Sequence, residues 1–173
     1  MILKVSGVIL ISAGCVGLGI YYREQFAQRI VHIRILIYIL DQMISEVRYN
    51  KSVLPECCLK LVGRLKNPYK EAFENTYRRI CRNEGDAFGE ILRRELAEAF
   101  ERTPLGKEEK KLFLQFAGEC GYTETGMQIT QMEQYRDQLE EVRDQLEKEV
   151  AEKKRMALGL GVMSGLLLVI VLL

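Results

Sequence analysis

The chain has 173 residues, enough for one modest domain, and its formal net charge of +1 gives no general attraction to nucleic acid. Apolar residues make up 48% of the chain but concentrate at its two ends, so a polar middle lies between apolar tails. The five cysteines show no C-x-x-C spacing and only one histidine is present, which excludes a disulfide framework and a zinc site.

The first predicted element is an apolar helix near the amino terminus. Residues 5–22 read VSGVILISAGCVGLGIYY, carry no charge, and span roughly 27 Å as a helix, which nearly crosses a bilayer. Lys4 and Arg23 flank the run, and a pair of tyrosines closes it where aromatic residues meet the membrane interface. We therefore predict a transmembrane helix in residues 1–22.

A second interpretation of this segment is a lipoprotein leader. Residues 12–15 read SAGC and faintly resemble a processing site that leaves Cys15 lipidated. The apolar run nevertheless continues to Tyr22 instead of opening into a polar linker, and the basic leader is a single lysine. The membrane helix is therefore the preferred interpretation.

Residues 24–48 contain a run of branched apolar residues that alternate as in a β-strand. The apolar positions continue through Met43, Ile44 and Val47 at helical spacing with no turn residue between them, so length favours a helix. His32 lies inside this apolar run, where a packed or interfacial histidine is favoured over a metal ligand.

Four shorter helices are predicted next from residues that favour helix starts and ends. The apolar stripe of the first makes the adjacent Cys57 and Cys58 core residues, not a reactive pair. The predicted helices run from Pro55 to about Lys66, from Pro68 to about Arg82 with Asn67 as cap, from a cap at Asp86 through Phe100, and from about Gly106 to a left-handed cap at Gly121.

The last predicted element is a long helix. Residues 135–141 and 142–148 are near-identical heptads, YRDQLEE and VRDQLEK, and neither glycine nor proline interrupts residues 128–157. The helix is predicted to run from about Glu124 into the uncharged residues 157–173, so that residues 156–173 form a second transmembrane helix. Its apolar seam can pack within the chain, which we favour, or against a second copy as a coiled coil; the sequence leaves both open.

Basic residues at the inner flanks predict the membrane orientation. Arg23, Arg29 and Arg34 follow the first segment and residues 153–155 read KKR before the second, which places residues 23–155 in the cytoplasm and both termini outside. Small residues in both segments permit close helix packing in the membrane, although such residues are also simply common there. These packing candidates are Ala13, Gly17, Ala157, Gly161 and Gly165.

The predicted fold is all-α: a cytoplasmic bundle of about six helices with a transmembrane helix at each terminus. The sequence shows no phosphate loop, nucleophile elbow or metalloprotease signature, so no catalytic, cofactor or metal site is predicted. The abundant carboxylates occupy solvated helix faces. We interpret the chain as a non-enzymatic protein without a small-molecule substrate.

The order of features along the whole chain resembles the stage III sporulation protein AB family of endospore-forming bacteria. The resemblance rests on a set of positions that is specific to the family when they are taken in order between two membrane segments. They are Glu46 and Tyr49 followed by Val53-Leu54-Pro55-Glu56, Leu114-Gln115-Phe116 followed by Cys120-Gly121, and then Glu124, Gln128 and Leu158-Gly159.

The resemblance implies a component of the channel complex between mother cell and forespore, in the mother-cell membrane around the forespore. It also implies a fold similar to the cytoplasmic domain of type II secretion platform proteins. The expected partner is a cytoplasmic secretion-type ATPase, stage III sporulation protein AA, together with other channel components and membrane lipid. The implied partner-binding residues are Glu46, Tyr49, Pro55, Glu56, Gly121 and Glu124.

Two alternatives stay open at this point. Gly121 and Glu124 form a partner-facing turn in one interpretation and a plain helix cap and helix-start acid in the other. For the whole chain, the alternative function is a membrane-bound helical sensor or regulator that dimerises through its long helix.

Overall fold

The structure of the chain is a computed structural model. It describes the backbone of residues 2–82, 85–121 and 125–172, and the side chains of residues 24, 26–82, 85–121, 126–153 and 155–156. Over those residues the chain is helical without a strand, which confirms the predicted all-α class. The helices are α1 (Ile2–Tyr49), α2 (Leu54–Val62), α3 (Tyr69–Cys81), α4 (Phe88–Glu101), α5 (Lys107–Glu119) and α6 (Thr125–Leu172).

The chain forms two compact units. Gln28–Arg143 is one, called the helical unit below, and Met1–Ala27 with Asp144–Leu173 is the other. The domain limits predicted from the sequence, 1–22, 23–155 and 156–173, stay predictions.

In the part of the chain that the structure describes, no helix combines the length and the apolar character needed to cross a membrane. The predicted membrane segments lie almost entirely outside the described side chains. The same holds for the predicted packing residues Ala13, Gly17, Ala157, Gly161 and Gly165, and for lipidation of Cys15.

A chain of aromatic rings runs through the core of the helical unit. Its rings come from α1, α3, α4, α5 and α6 in turn, with successive centroids between 5.3 and 6.3 Å apart, the spacing of favourable edge and tilted contacts. These five helices therefore share one core. Helix α3 also packs directly on α2 and α4. The rings belong to His32, Tyr69, Phe100, Phe113, Phe116 and Tyr135.

The predicted choice of helix over strand for residues 24–48 is confirmed by α1. His32 on this helix is a packed residue, because its Nδ1 lies 2.8 Å from the hydroxyl of Tyr69 on α3. Burial lowers the pKa of His32 from its ordinary value, so the folded chain favours the neutral ring.

Gly89 near the start of α4 brings that helix against the end of α5. A Cβ built on Gly89 would lie 2.6 Å from the carbonyl oxygen of Gly118 and within 2.9 Å of those of Ala117 and Cys120. The two backbones approach too closely for any side chain at this position. This contact fixes where α4 and the last turn of α5 meet.

Two predicted helix caps are wrong. The N-cap residues of α3 and α4 are Pro68 and Ala87, and neither helix has a side-chain cap hydrogen bond. The Asn67 amide instead donates to Glu71 at 2.7 Å, and Asp86 accepts from Arg94 at 3.2 Å. Each predicted cap thus uses its polar group on a neighbouring side chain.

Helix α2 ends four residues earlier than the predicted end at Lys66. Gly63 is its C-cap, and the backbone N–H groups of Arg64 and Leu65 both donate to the carbonyl of Leu61, at 2.9 and 3.0 Å. These bonds tighten the last turn and close the helix.

Candidate functional site

A cavity of about 690 Å³ opens on the surface of the helical unit. We call it the groove. The end of α1, the α1–α2 connection, the starts of α2, α4 and α6, and the residues after α5 supply its walls. Its lining residues are Val47, Arg48, Lys51, Ser52, Val53, Leu54, Pro55, Phe88, Gly121, Gly126, Gln128 and Ile129.

Glu46 holds the α1–α2 connection in place from behind the groove. Its carboxylate oxygen Oε2 accepts from the Asn50 amide at 2.7 Å and from the Ser52 hydroxyl at 3.4 Å, and it pairs with the Lys60 ammonium. Its backbone carbonyl accepts from the backbone N–H groups of Asn50 and Ser52, each at 3.2 Å. Glu46 is only 9% exposed, so it positions this wall of the groove.

These contacts also set the charge state of Glu46. The hydrogen bond from Lys60 lowers the pKa of the Glu46 carboxyl most, and the bond from Asn50 adds to that effect. The carboxylate therefore stays ionised wherever the ordinary carboxyl group is ionised, and it neutralises Lys60.

Lys51 adopts a backbone conformation that non-glycine residues rarely use. Its φ is +49°, in the left-handed region, and its side chain is exposed. Such conformations persist where surrounding contacts hold the backbone, which the bonds of Asn50 and Ser52 to Glu46 do here. The turn directs the chain from α1 into the groove wall.

Gln128 on α6 carries a buried polar group that no described residue pairs with. The residue is 8% exposed, and its side-chain nitrogen Nε2 has no hydrogen bond to any residue that the structure describes. A buried amide donor without an acceptor is costly and uncommon in folded proteins. Because Gln128 lines the groove, this group is placed to donate to a molecule bound there.

Exposed apolar side chains cluster beside the groove. Tyr49 is 76% exposed, while Val53 and Met127 are each 61% exposed. Val53 lines the groove, and the other two are sequence neighbours of lining residues. Large exposed apolar residues grouped in this way are typical of a surface that meets another protein.

Two of the six sequence-predicted partner-binding residues line the groove. Pro55 and Gly121 line it, Glu46 lies behind its wall, and Glu56 is exposed in the first turn of α2. Tyr49 is the last residue of α1. Glu124 lies outside the described residues.

Gly121 has the left-handed conformation predicted for it, with φ of +92°. A Cβ built there would lie 3.6 Å from Cβ of Phe88 and 3.8 Å from Cδ1 of Leu54, which are ordinary contacts. Backbone conformation rather than space therefore accounts for glycine at this position.

Sequence reasoning missed Lys51, Phe88 and Gln128 as site residues. Lys51 reads as a polar turn residue and Phe88 as the first core residue of α4. In the sequence Gln128 belongs only to the family pattern, and its burial depends on helices packed from distant parts of the chain. No local signal separates these residues from ordinary turn, core and helix positions.

Apart from Gln128, the buried polar and thiol side chains that the structure describes in the helical unit lie outside the groove lining. Arg29 Nε pairs with the fully buried Glu109 at 2.6 Å between α1 and α5. Cys57, Cys58 and Cys120 are buried free thiols, and burial raises the pKa of Cys57 to about 11 and that of Cys58 well above its ordinary value. Thiols of this kind are unreactive at neutral pH. Across the side chains that are described, no His, Cys, Asp and Glu residues group as metal ligands.

The fold defines the class of protein: an all-α domain whose first and last helices, α1 and α6, are long and which carries a groove on its surface. A solved structure of the stage III sporulation protein AB (SpoIIIAB) shares this fold, with a TM-score of 0.64 at 18% sequence identity, over 72% of this chain and 97% of that one. The sequence model of the stage III sporulation protein AB family matches residues 4–173. The chain belongs to this family. No curated protein sequence matches the chain.

Proposed function

We propose that the chain is a non-enzymatic membrane platform subunit of the channel complex between mother cell and forespore. In this role the helical unit docks a cytoplasmic secretion-type ATPase, stage III sporulation protein AA, at the mother-cell membrane around the forespore. The observation that carries the proposal is the groove, whose described lining holds an exposed apolar residue, Val53, and a buried amide without a described partner, in a protein of a sporulation family.

The membrane part of the proposal follows from the sequence. Uncharged segments at both ends anchor the chain in lipid, and basic residues on their inner flanks favour a cytoplasmic position for residues 23–155. A docking surface for a cytoplasmic ATPase needs this orientation.

The alternative, a sensor that dimerises through its long helix, has less support. Met132 and Leu139 on the heptad seam of α6 are fully buried within the single chain. A coiled coil needs these positions to face a second copy. The seam of α6 in the helical unit is therefore already used for intrachain packing.

Copurification tests the platform function. The full-length chain, tagged and extracted from sporulating cells in mild detergent, should retain the ATPase, and a deletion strain should fail late in forespore development. Complementation with the unaltered gene is the control for the deletion. Normal spores from the deletion strain, or no ATPase with the tagged chain, would contradict the proposal.

A further inference from the structure

We propose that the groove binds a peptide segment of the ATPase that presents an aliphatic side chain beside an acidic one. Lys51 and Gln128 are the residues that recognise this segment. The inference rests on the proposed function and adds to it the docking surface and the chemistry of the partner segment.

The unpaired amide of Gln128 requires an acceptor. Gln128 lines the groove and its Nε2 is buried without a hydrogen bond to the described part of the chain, so there the unbound chain bears the cost of an unsatisfied donor. A backbone carbonyl or a carboxylate from a bound peptide relieves that cost. Such a donor favours a segment that brings an acceptor oxygen to this point over one that does not.

Among the lining residues whose side chains the structure describes, the two charged ones, Arg48 and Lys51, are both basic. Arg48 forms an ion pair with Glu133 at 2.6 Å, whereas Lys51 is exposed and has no ion pair among the described residues. Of the nearby acidic groups, Glu46 is neutralised by Lys60, and Glu56 points from the first turn of α2 without lining the groove. Within the described part of the groove, the charge that remains for a ligand is the Lys51 ammonium, which favours an acidic partner group.

Apart from Ser52, the other described residues that line the groove are apolar. Val47, Val53, Leu54, Phe88 and Ile129 line it, and a volume of about 690 Å³ accommodates several side chains rather than a single ion. Tyr49 and Met127 extend the apolar surface beyond the groove. An aliphatic anchor inside and an acidic group at Lys51 match this arrangement, in which a buried centre supplies most of the binding energy.

Affinity measurements on the full-length chain in nanodiscs, with purified ATPase as the probe, test the inference. Lys51→Glu reverses the free charge and Gln128→Leu removes the buried donor at similar volume. Each should weaken binding by about tenfold or more, the loss expected for one hydrogen bond or ion pair to a charged group. The matched controls Lys66→Glu and Gln134→Leu change exposed residues outside the groove and should leave affinity within about twofold.

The folding stability of Gln128→Leu separates recognition from a structural role. Removing an unpaired buried donor should leave the unfolding temperature unchanged or raise it, even as binding weakens. A variant that loses stability and keeps full affinity would overturn the role of Gln128.

Photo-crosslinking identifies the bound segment. A benzophenone side chain at Val53 should crosslink to an ATPase peptide that holds Asp or Glu next to Leu, Ile or Val, while one at the exposed Leu59 outside the groove should not. Crosslinking only from Leu59, or to a peptide without an acidic residue, would overturn the inference.

The inference and the proposed function fail in different ways. If the ATPase binds the unaltered chain and the groove variants equally, the groove assignment is wrong and the platform function stands. If the ATPase does not bind the unaltered chain, both are wrong.

Discussion

At the scale of single residues, the helical unit depends on positions where a side chain would have no room. Gly89 meets three backbone carbonyls at the end of α5, and a Cβ on Gly106 would collide with the Arg29 guanidinium and the Glu109 carboxylate. Sequence inspection assigns Gly106 a helix start and gives Gly89 no role. The close approaches come from contacts between helices that the sequence does not display.

Gly89→Ala should destabilise the folded chain by about 1–3 kcal/mol, because the carbonyls that meet the new methyl group are backbone atoms that cannot turn aside. Gly63→Ala is the matched control: its φ is −70° and its nearest neighbour would lie at 3.7 Å, so stability should change by less than about 1 kcal/mol. Denaturant unfolding of the full-length chain in detergent measures both. Equal stabilities would show that α4 and α5 do not pack as described.

His32 should make the stability of the chain depend on pH between about 7 and 5.5. Burial lowers its folded-state pKa below the ordinary 6.5, so the unfolded chain binds a proton first as the pH falls. Stability should therefore decrease as the pH falls through 6.5. His32 is the only histidine, and carboxyl groups ordinarily titrate at lower pH, so the effect is assignable.

The unfolding temperature at pH 7 and pH 5.5 checks this dependence. His32→Asn should remove it, because asparagine does not titrate. Tyr69→Phe, which deletes the hydrogen bond and keeps the burial, should retain it. A dependence that survives in His32→Asn would assign the titration to another group.

At the scale of elements, the sequence predicts which helices exist, and their starts to within about one residue, better than it predicts their capping groups or the end of α2. The spacing of apolar residues predicts the helices, because each helix must bury one apolar face. This spacing can be read from neighbouring residues in the sequence. The caps at Asn67 and Asp86 are wrong because each polar side chain had competing partners within the next eight residues. The groove needs four separate helix ends in one place, so only Pro55 and Gly121 of its lining were predicted, from family resemblance.

The α1–α2 connection should loosen when its anchor is removed. Glu46→Ala deletes the acceptor for Asn50, Ser52 and Lys60, so the backbone amides of residues 50–53 should exchange hydrogen faster than in the unaltered chain. Glu56→Ala, which removes an exposed carboxylate from the first turn of α2, is the matched control and should leave their exchange unchanged. Hydrogen exchange read by mass spectrometry measures both variants.

Acidification should have the same effect as the Glu46 variant. The folded-state pKa of Glu46 is lowered, so its stabilising contribution is complete above the ordinary 4.5 and is lost as the pH falls through the lower folded-state value. A connection in Glu46→Ala as protected as in the unaltered chain would show that the backbone bonds alone hold it.

At the scale of the whole molecule, the proposed docking requires the helical unit to lie on the cytoplasmic side. Cys81 is an exposed thiol of this unit, while Cys57, Cys58 and Cys120 are buried. A charged maleimide does not cross a bilayer. In vegetative cells that express the chain, it should label Cys81 only after the membrane is permeabilised, and Cys81→Ser should abolish that labelling.

A cysteine introduced at the carboxyl terminus, Leu173→Cys in the Cys81→Ser background, tests the other half of the orientation. If residues 156–173 span the bilayer outward, this thiol should be labelled in intact cells. The two variants together distinguish a hairpin from a chain held at one end, because in the latter the new thiol stays protected until permeabilisation. Labelling of Cys81 in intact cells would place the groove outside the cytoplasm. A cytoplasmic ATPase could then not reach Lys51 and Gln128, because the ATPase and the groove must share one aqueous compartment to bind.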